Sequence, residues 1–499
     1  MNRREFLQCM GFLGTVAATP GLAFFDDTTS PYRKPDPLVS RGETLLLTNA
    51  SVIDVTTGTT EMKNVLLRNG RIQGVFDPAT QGIAYDRRLD LGGAFMAPGL
   101  INAHCHMSIP CAVWGIGRGL VRTMKRQMER NAEECVKHGV TTVRDMGALA
   151  GSVDDLQTKV QSGAIVGPRI QTSYVLDVPG GYMTSMVGLF GLAVNEHYFK
   201  VIRSPAEGRE GVRRAADEGA DLIKICHQAL PFATILPTPR QMDLKTTQVI
   251  CKEAARLGLP VAIHHTDTKG FNKGLDASVI SFEHVACDRT LTSSEIGRFK
   301  ESGAVITPTA SVGFAISWET TDSTGWDHGF KAEMKRQRSR YLTNLAYEYC
   351  ESPIADAIVR MAGQYSTPAY FDSRHLAITI NMEATKTILD EGIDNVLRMY
   401  REGVPMGCGN DGGIPFDFPG AMGLEMYLLE TIGFKTANIL RMATINNARL
   451  LGMERDLGTI EAGKIADLAI FENNPLDTCR NAFNPSMVFL GGELVSETG

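Results

Sequence analysis

The sequence predicts an α/β fold, a parallel (β/α)8 TIM barrel carrying a small β-sandwich domain built from both chain ends. Three observations predict it. Short apolar runs alternate with helical segments through the middle of the chain. The two flanks share short alternating strands, and chemistry-bearing residues sit where the apolar runs stop. The eight runs are 95–106, 141–145, 169–176, Leu222–His227, 260–265, 279–284, 304–309 and 404–411. Segments of helical periodicity separate most of them, as at 206–218, 243–257 and Ser293–Ser302. Such alternation suits a parallel sheet closed on itself. An open doubly wound sheet is the alternative, and the lack of a Gly-rich dinucleotide turn after the first run weighs against it.

The flanks define the second unit. Residues 43–96 read as short strands with Asn-Gly or Gly turns, as in LLLTNASVIDV and NVLLRNGRIQGV, and residues 456–498 have the same character. The two pieces pair into one β-sandwich domain, leaving 97–455 for the barrel. A polar, helical stretch at about 311–395 falls between the seventh and eighth runs, where it would form a lid or a subunit contact.

A chain of 499 residues with 43% hydrophobic and 21% charged residues can bury one large core and still supply a smaller unit. The formal charge of −6, without interleaved aromatic and basic residues, argues against a nucleic-acid module. The densest basic run, Lys335 to Arg340 (KRQRSR), reads as a solvated helix face, with a local partner contact as the alternative. Ten cysteines show no CxxC pair and no clustering, so most read as buried thiols rather than a disulfide framework.

Residues 1–24 read as an export signal: Arg3 and Arg4, an apolar stretch from 10 to 18, then small residues around Ala23. The apolar stretch is too short to span about 30 Å of hydrocarbon as a helix. Arg3-Arg4-Glu5-Phe6-Leu7 resembles a twin-arginine signal, departing at Asn2 and Gln8, and implies a folded protein exported to the periplasm with no stable membrane span after processing. An uncleaved anchor or a tail is the alternative.

Ligands in such a barrel sit at the C-terminal ends of the strands. His104 and His106 close the first run, and a spacing of two puts both on one face, with Cys105 between them pointing the other way as a buried thiol. Lys224 stands in an apolar strand, ADLIKI, where an unpaired charge is costly. His264 closes the fifth run, His284 the sixth and Asp411 the eighth. Arg144 and Asp145 read as internal ion pairs, His138 as a packing residue, and Thr307-Pro308-Thr309 as pocket wall. His375 has no assignable place.

These residues carry a resemblance. The segments APGLINAHCH, GVTTVRDMG, GADLIKI, LPVAIHH, SFEHVA, VPMGCGND, ATINNARLLG and GTIEAGKIADLAIF resemble the amidohydrolase superfamily, in the branch with imidazolonepropionase-like proteins and Xaa-Pro or Xaa-Arg dipeptidases. The likeness runs from about Leu45 to the C-terminus. It implies two divalent metal ions, zinc by default, with manganese, nickel or iron also compatible with the ligand types. By the same likeness His104, His106 and Asp411 bind the inner ion, His264 and His284 the outer one, and carbon dioxide on Lys224 forms a carbamate that bridges them. Asp411 is also the implied catalytic proton carrier. The lysine separates this pattern from the mononuclear deaminases of the superfamily.

Three departures from the relatives concern substrate. Tyr182 follows Gly180-Gly181 where they carry histidine, Cys226-His227-Gln228 replaces a small Gly-rich loop, and Thr266 stands for the second histidine of an HxH. Tyr182, His227 and His265 are therefore candidate substrate contacts, although strand parity sends His265 to the face opposite His264 or to the rim. The expected activity is hydrolysis of an amide-like C–N bond in a small-molecule substrate. A lactone or ester, urea or carbamate substrate is the alternative, and a non-catalytic metal-bound scaffold is a third reading. Homo-oligomerisation stays open.

Overall fold

Seven parallel strands wrap around one core in the order Leu100–Cys105, Val140–Asp145, Arg169–Asp177, Leu222–His227, Val261–His265, Ser281–Glu283 and Val305–Thr307. The computed structural model describes residues 34–40, 42–108, 119–147, 152–187, 199–230, 233–234, 239–317, 328–340, 379–380, 387–413 and 417–498. The expected export signal, His375 and the middle of the 311–395 insert lie outside these residues.

The eighth run closes the ring, but as an extended segment with a bridge on each side rather than a continuous strand. Met406 pairs in parallel with Ile306, and Gly412 with Cys105. Backbone bonds from Asp411 N to His104 O (2.9 Å) and from His106 N to Gly412 O (2.6 Å) tie it to the first strand. Packing explains the irregularity. A Cβ on Gly409 would lie 2.6 Å from His104 N, and one on Gly413 would lie 2.3 Å from His106 O, so the segment presses closer than side chains allow.

The first run divides in two. Phe95–Pro98 joins the small sheet, antiparallel to Leu468–Phe471, and Leu100–Cys105 enters the barrel. Gly99 is the junction, where a Cβ would meet the Thr141 hydroxyl oxygen at 2.2 Å. The predicted helices form at Pro205–Asp217, Leu244–Leu257 and Ser293–Ser302. Local chemistry sets their ends. Asp243 caps the second through Thr246 N, and Thr292 with Glu295 makes a capping box on the third; glycines 258 and 303 stop both in the left-handed region.

The flanking strands from both chain ends form one continuous eight-stranded sheet. It bends at a bulge between Leu47 and Ala50 and encloses a common core that includes Leu47, Val65, Ile72, Leu468 and Phe489. The Asn69-Gly70 turn is left-handed at both residues, as a two-residue hairpin requires. The basic run lies on the helix His328–Arg340, and its last residue is not simply solvated: Arg340 Nη2 lies 2.6 Å from Glu134 Oε2. His138 bonds that guanidinium at 3.3 Å, so it fastens two helices together. Cys105, Cys135, Cys226, Cys251, Cys287, Cys408 and Cys479 are free, buried thiols. Among the described residues no helix is long and apolar enough to cross a membrane.

Candidate metal centre

Strand parity decides which side chains reach the barrel interior. Leu222–His227 pairs with Val261–His265 so that Cys226 faces His264 and His227 faces His265. Side chains alternate along a strand, so Lys224, Cys226 and His264 share the interior face. His227 and His265 lie behind the wall, under the helix Thr268–Asp276. A Cβ on Gly270 of that helix would come 2.5 Å from His227 Cδ2 and 3.0 Å from His265 Cβ.

His104, His284 and Asp411 present potential ligand atoms within 4.8 Å of one another. Each ring is oriented from behind. His104 Nδ1 lies 2.7 Å from Glu283 Oε2, His106 Nδ1 lies 3.0 Å from Gly147 O, and His284 Nδ1 lies 2.6 Å from the Thr309 hydroxyl oxygen. A carboxylate or a carbonyl only accepts, so Nδ1 of His104 and His106 carries the hydrogen, and in the neutral rings Nε2 carries the lone pair. Both lone pairs point at Asp411 Oδ1, from 3.1 Å and 2.9 Å. Three converging acceptors repel one another unless a proton or a cation lies among them. The set therefore fits a divalent cation, and its nitrogen and oxygen donors suit zinc.

The ionisation states agree with that fit. Burial opposes a charge on Asp411, but the neighbouring histidines hold its carboxyl well below the usual carboxylate range. His106 differs: burial opposes its charge, but Asp411 raises its pKa, so a proton competes with a cation for the lone pair there. Burial pushes His264 and His284 well down, which leaves neutral rings with a free lone pair.

Lys224 lies mid-strand rather than at the strand end. It is 3% exposed, and among the described residues its Nζ has no hydrogen-bond partner. Burial lowers its pKa, against the pull of Glu283, and its charge is felt at His264 and His284. An orphaned, easily neutralised amine facing these groups fits the lysine that carbon dioxide would convert to a carbamate. Glu283 is fully buried and bonded to Arg144 Nη2 at 2.8 Å and Ser281 Oγ at 2.5 Å. Burial opposes its charge, and Arg144 and His104 overcome it, so the carboxyl lies far below its usual range.

The backbone is unusual at the same place. His284 (φ 69°), Thr309 (φ 49°) and Asp411 (φ 56°) all adopt left-handed conformations. For a β-branched threonine this is a real outlier, and such strain gathers where side chains must be aimed.

Of the residues singled out from sequence, the interior therefore gathers His104, His106, Lys224, His264, His284 and Asp411. Tyr182 joins them: its ring stacks on His264 at 4.7 Å and 22°. Burial and the nearby Asp411 push its phenol well above its usual range, so it stays a hydrogen-bond donor. His227 and His265 do not join them. His227 lies 3.3 Å from Asp267 and 2.9 Å from Lys273 Nζ, and His265 sits between the rings of Phe271 and Phe282, so the barrel wall separates both from the interior. Arg144 makes the expected internal ion pair. Asp145 does not; it accepts from the Met107 and Gly147 backbone N–H groups at 2.8 and 3.0 Å. Glu283, Thr309 and Gln228 escaped notice as groups that hold the histidines. Only Glu283 left a signal, a charge inside the apolar strand SFEH that the argument applied to Lys224 would have caught.

Comparison with known proteins places this architecture. A Xaa-Pro dipeptidase structure with bound methionine superposes with a TM-score of 0.70 at 20% identity, covering 91% of this chain and 100% of that one. Molinate hydrolase superposes at 0.68 with 18% identity, covering 92% and 96%. At these identities the likeness establishes the fold. An adenine deaminase from Dehalococcoides mccartyi is 46% identical over 72 residues, which is 14% of this chain and only 12% of the relative's own length. The Amidohydrolase family model matches residues 95–495, the whole barrel and most of the C-terminal strands, so the chain belongs to the amidohydrolase family.

Proposed function

We propose that this hydrolase cleaves an amide-like C–N bond of a small molecule with two divalent cations. In this reading His104, His106 and Asp411 would hold one ion, His264 and His284 would hold the other, and Lys224 would serve both as its carbamate. The observation that carries it is the convergence of the His104 and His106 nitrogens on Asp411 Oδ1, near a buried amine with no hydrogen-bond partner among the described residues. When bound, such cations lower the pKa of water and polarise a carbonyl.

The chain's own groups supply the rest. Asp411, ionised and buried against His104 and His106, takes the proton of the attacking water and returns it to the leaving nitrogen. Glu283, Gly147 and Thr309 keep the rings from turning. Tyr182, a donor beside the cluster, is placed to bond the substrate oxygen as negative charge grows on it. The neighbours' activities, on a Xaa-Pro dipeptide and on molinate, make peptide-like substrates and molinate the first to try. Export through residues 1–24 belongs to the same reading, supported by the paired arginines and the short apolar stretch.

The test is a mass-spectrometric screen of zinc-loaded protein against dipeptides, N-acyl amino acids, ureas, carbamates and lactones, beside Asp411→Asn. Cleavage of one C–N class that disappears in the variant is expected. Opening of lactones alone would replace the reading with an ester hydrolase.

A further inference from the structure

The fourth histidine of the cluster is held differently from the other three. Its Nε2, not its Nδ1, is engaged from behind, by Gln228 Oε1 at 2.5 Å. The hydrogen bonds around that amide fix its orientation. Gln228 Nε2 donates to the backbone carbonyl of Leu230, which can only accept, so the NH2 must face Leu230 and the oxygen must face His264. The Thr266 hydroxyl donates to the same oxygen at 3.3 Å, and Gln241 Nε2 fixes the Gln228 backbone carbonyl at 2.6 Å. Gln228 is 1% exposed, so water cannot substitute for these partners freely. An amide oxygen has no proton to give, and His264 Nε2 must carry the hydrogen. In the neutral ring, Nδ1 then holds the lone pair. Tyr182, stacked on the ring at 4.7 Å, blocks it from tipping out of this arrangement.

We propose that Gln228 is a positioning residue that selects the Nε2–H tautomer of His264 and so leaves the lone pair of this ring on Nδ1. The proposal rests on the metal reading above. It also gives a use to two of the sequence departures, because Gln228 and Thr266 meet in one hydrogen bond behind His264. The glutamine amide does for this ring what the Glu283 carboxylate does for His104, without placing another charge in the barrel.

Two measurements test it on the full chain. Histidine-selective 15N NMR of the metal-stripped protein reports the tautomer, with the His264 signal identified by its loss in His264→Asn. Competition against a chelator reports zinc affinity. In the wild type, His264 should carry its proton on Nε2. Gln228→Leu should move it toward Nδ1 and weaken one of two bound zinc ions about 10–100-fold. Gln228→Glu, which keeps an acceptor oxygen, should retain the Nε2–H form. If Gln228→Leu does not fold, Thr266→Val is read instead, and a shifted His264 Nε2 proton signal with about two- to threefold weaker zinc is the expected result. An unchanged tautomer and unchanged zinc affinity in the variants would overturn the role of Gln228 while leaving the metal centre standing. A wild type that takes up no zinc would overturn the metal reading, and this proposal with it.

Discussion

Two adjacent histidines on one strand have opposite fates. His264 faces the barrel interior, where Gln228 holds it and Tyr182 covers it. His265 faces the helical layer, where Phe271 and Phe282 enclose the ring. The residue type is the same, the burial is similar, and only the side of the strand differs. The interior is a place where lone pairs are aimed and proton positions are set by neighbours. The layer behind it sets His265 among phenylalanine rings beside the His227–Asp267–Lys273 cluster, and burial keeps its ring neutral. The difference teaches that histidine content says little about a site until the parity of each strand is known.

The largest effect should come from the interior. Asp411→Asn removes the proton carrier and one arm of the inner cluster, and turnover of whichever substrate the screen identifies should fall by about 10²–10⁴-fold. Steady-state kinetics with metal-replete protein checks this. A variant as active as the wild type would erase the distinction between interior and wall.

Next comes Glu283→Gln. The substitution leaves the Arg144 guanidinium buried without its carboxylate, and breaking a buried pair costs about 3–5 kcal/mol. Denaturant unfolding of the metal-free form measures that loss. A change below about 1 kcal/mol would mean that Arg144 finds other compensation.

The wall should show itself through pH. Burial lowers the His265 pKa to about 4, so between its ordinary value and that point the unfolded chain binds a proton that the folded chain refuses. Stability is therefore complete at neutral pH and is lost as pH falls toward 4, by about 3 kcal/mol at most. His265→Phe should remove that part of the acid sensitivity, read from melting temperature against pH, and leave kcat near neutrality unchanged. An equally acid-sensitive variant would assign the loss to other groups.

The smallest effect is at Thr309. Thr309→Val keeps the branched shape and its strain but removes the hydroxyl that bonds His284. The metal-free protein should lose about 1 kcal/mol while zinc release to a chelator speeds about tenfold. Thr309→Ser should restore slow release.

Much of this was legible in the sequence because periodicity carries it. Strand parity brought His104 and His106 to one face and sent His265 away from His264. Lys224 stood out because a charge in an apolar strand has to be compensated. What stayed hidden depends on contacts between elements far apart in the chain. Thr309 and His284 are 25 residues apart and Glu283 and His104 are 179 apart, and no local pattern announces either bond. The boundary read at 96/97 already divided the first run; that the turn falls on Gly99 answers to the Thr141 side chain on the next strand. The irregular eighth segment, too, follows from close backbone contact with the first strand rather than from its own composition.

The most direct test of the central claim is metal stoichiometry. Metal-stripped protein would be titrated with zinc in the presence and absence of bicarbonate, and the bound ions counted by native mass spectrometry. The account predicts two zinc ions per chain with bicarbonate, the added mass of one carbon dioxide, and loss of that mass with weakened zinc binding in Lys224→Ala. At most one zinc ion, with Lys224→Ala binding it as tightly as the wild type, would contradict it.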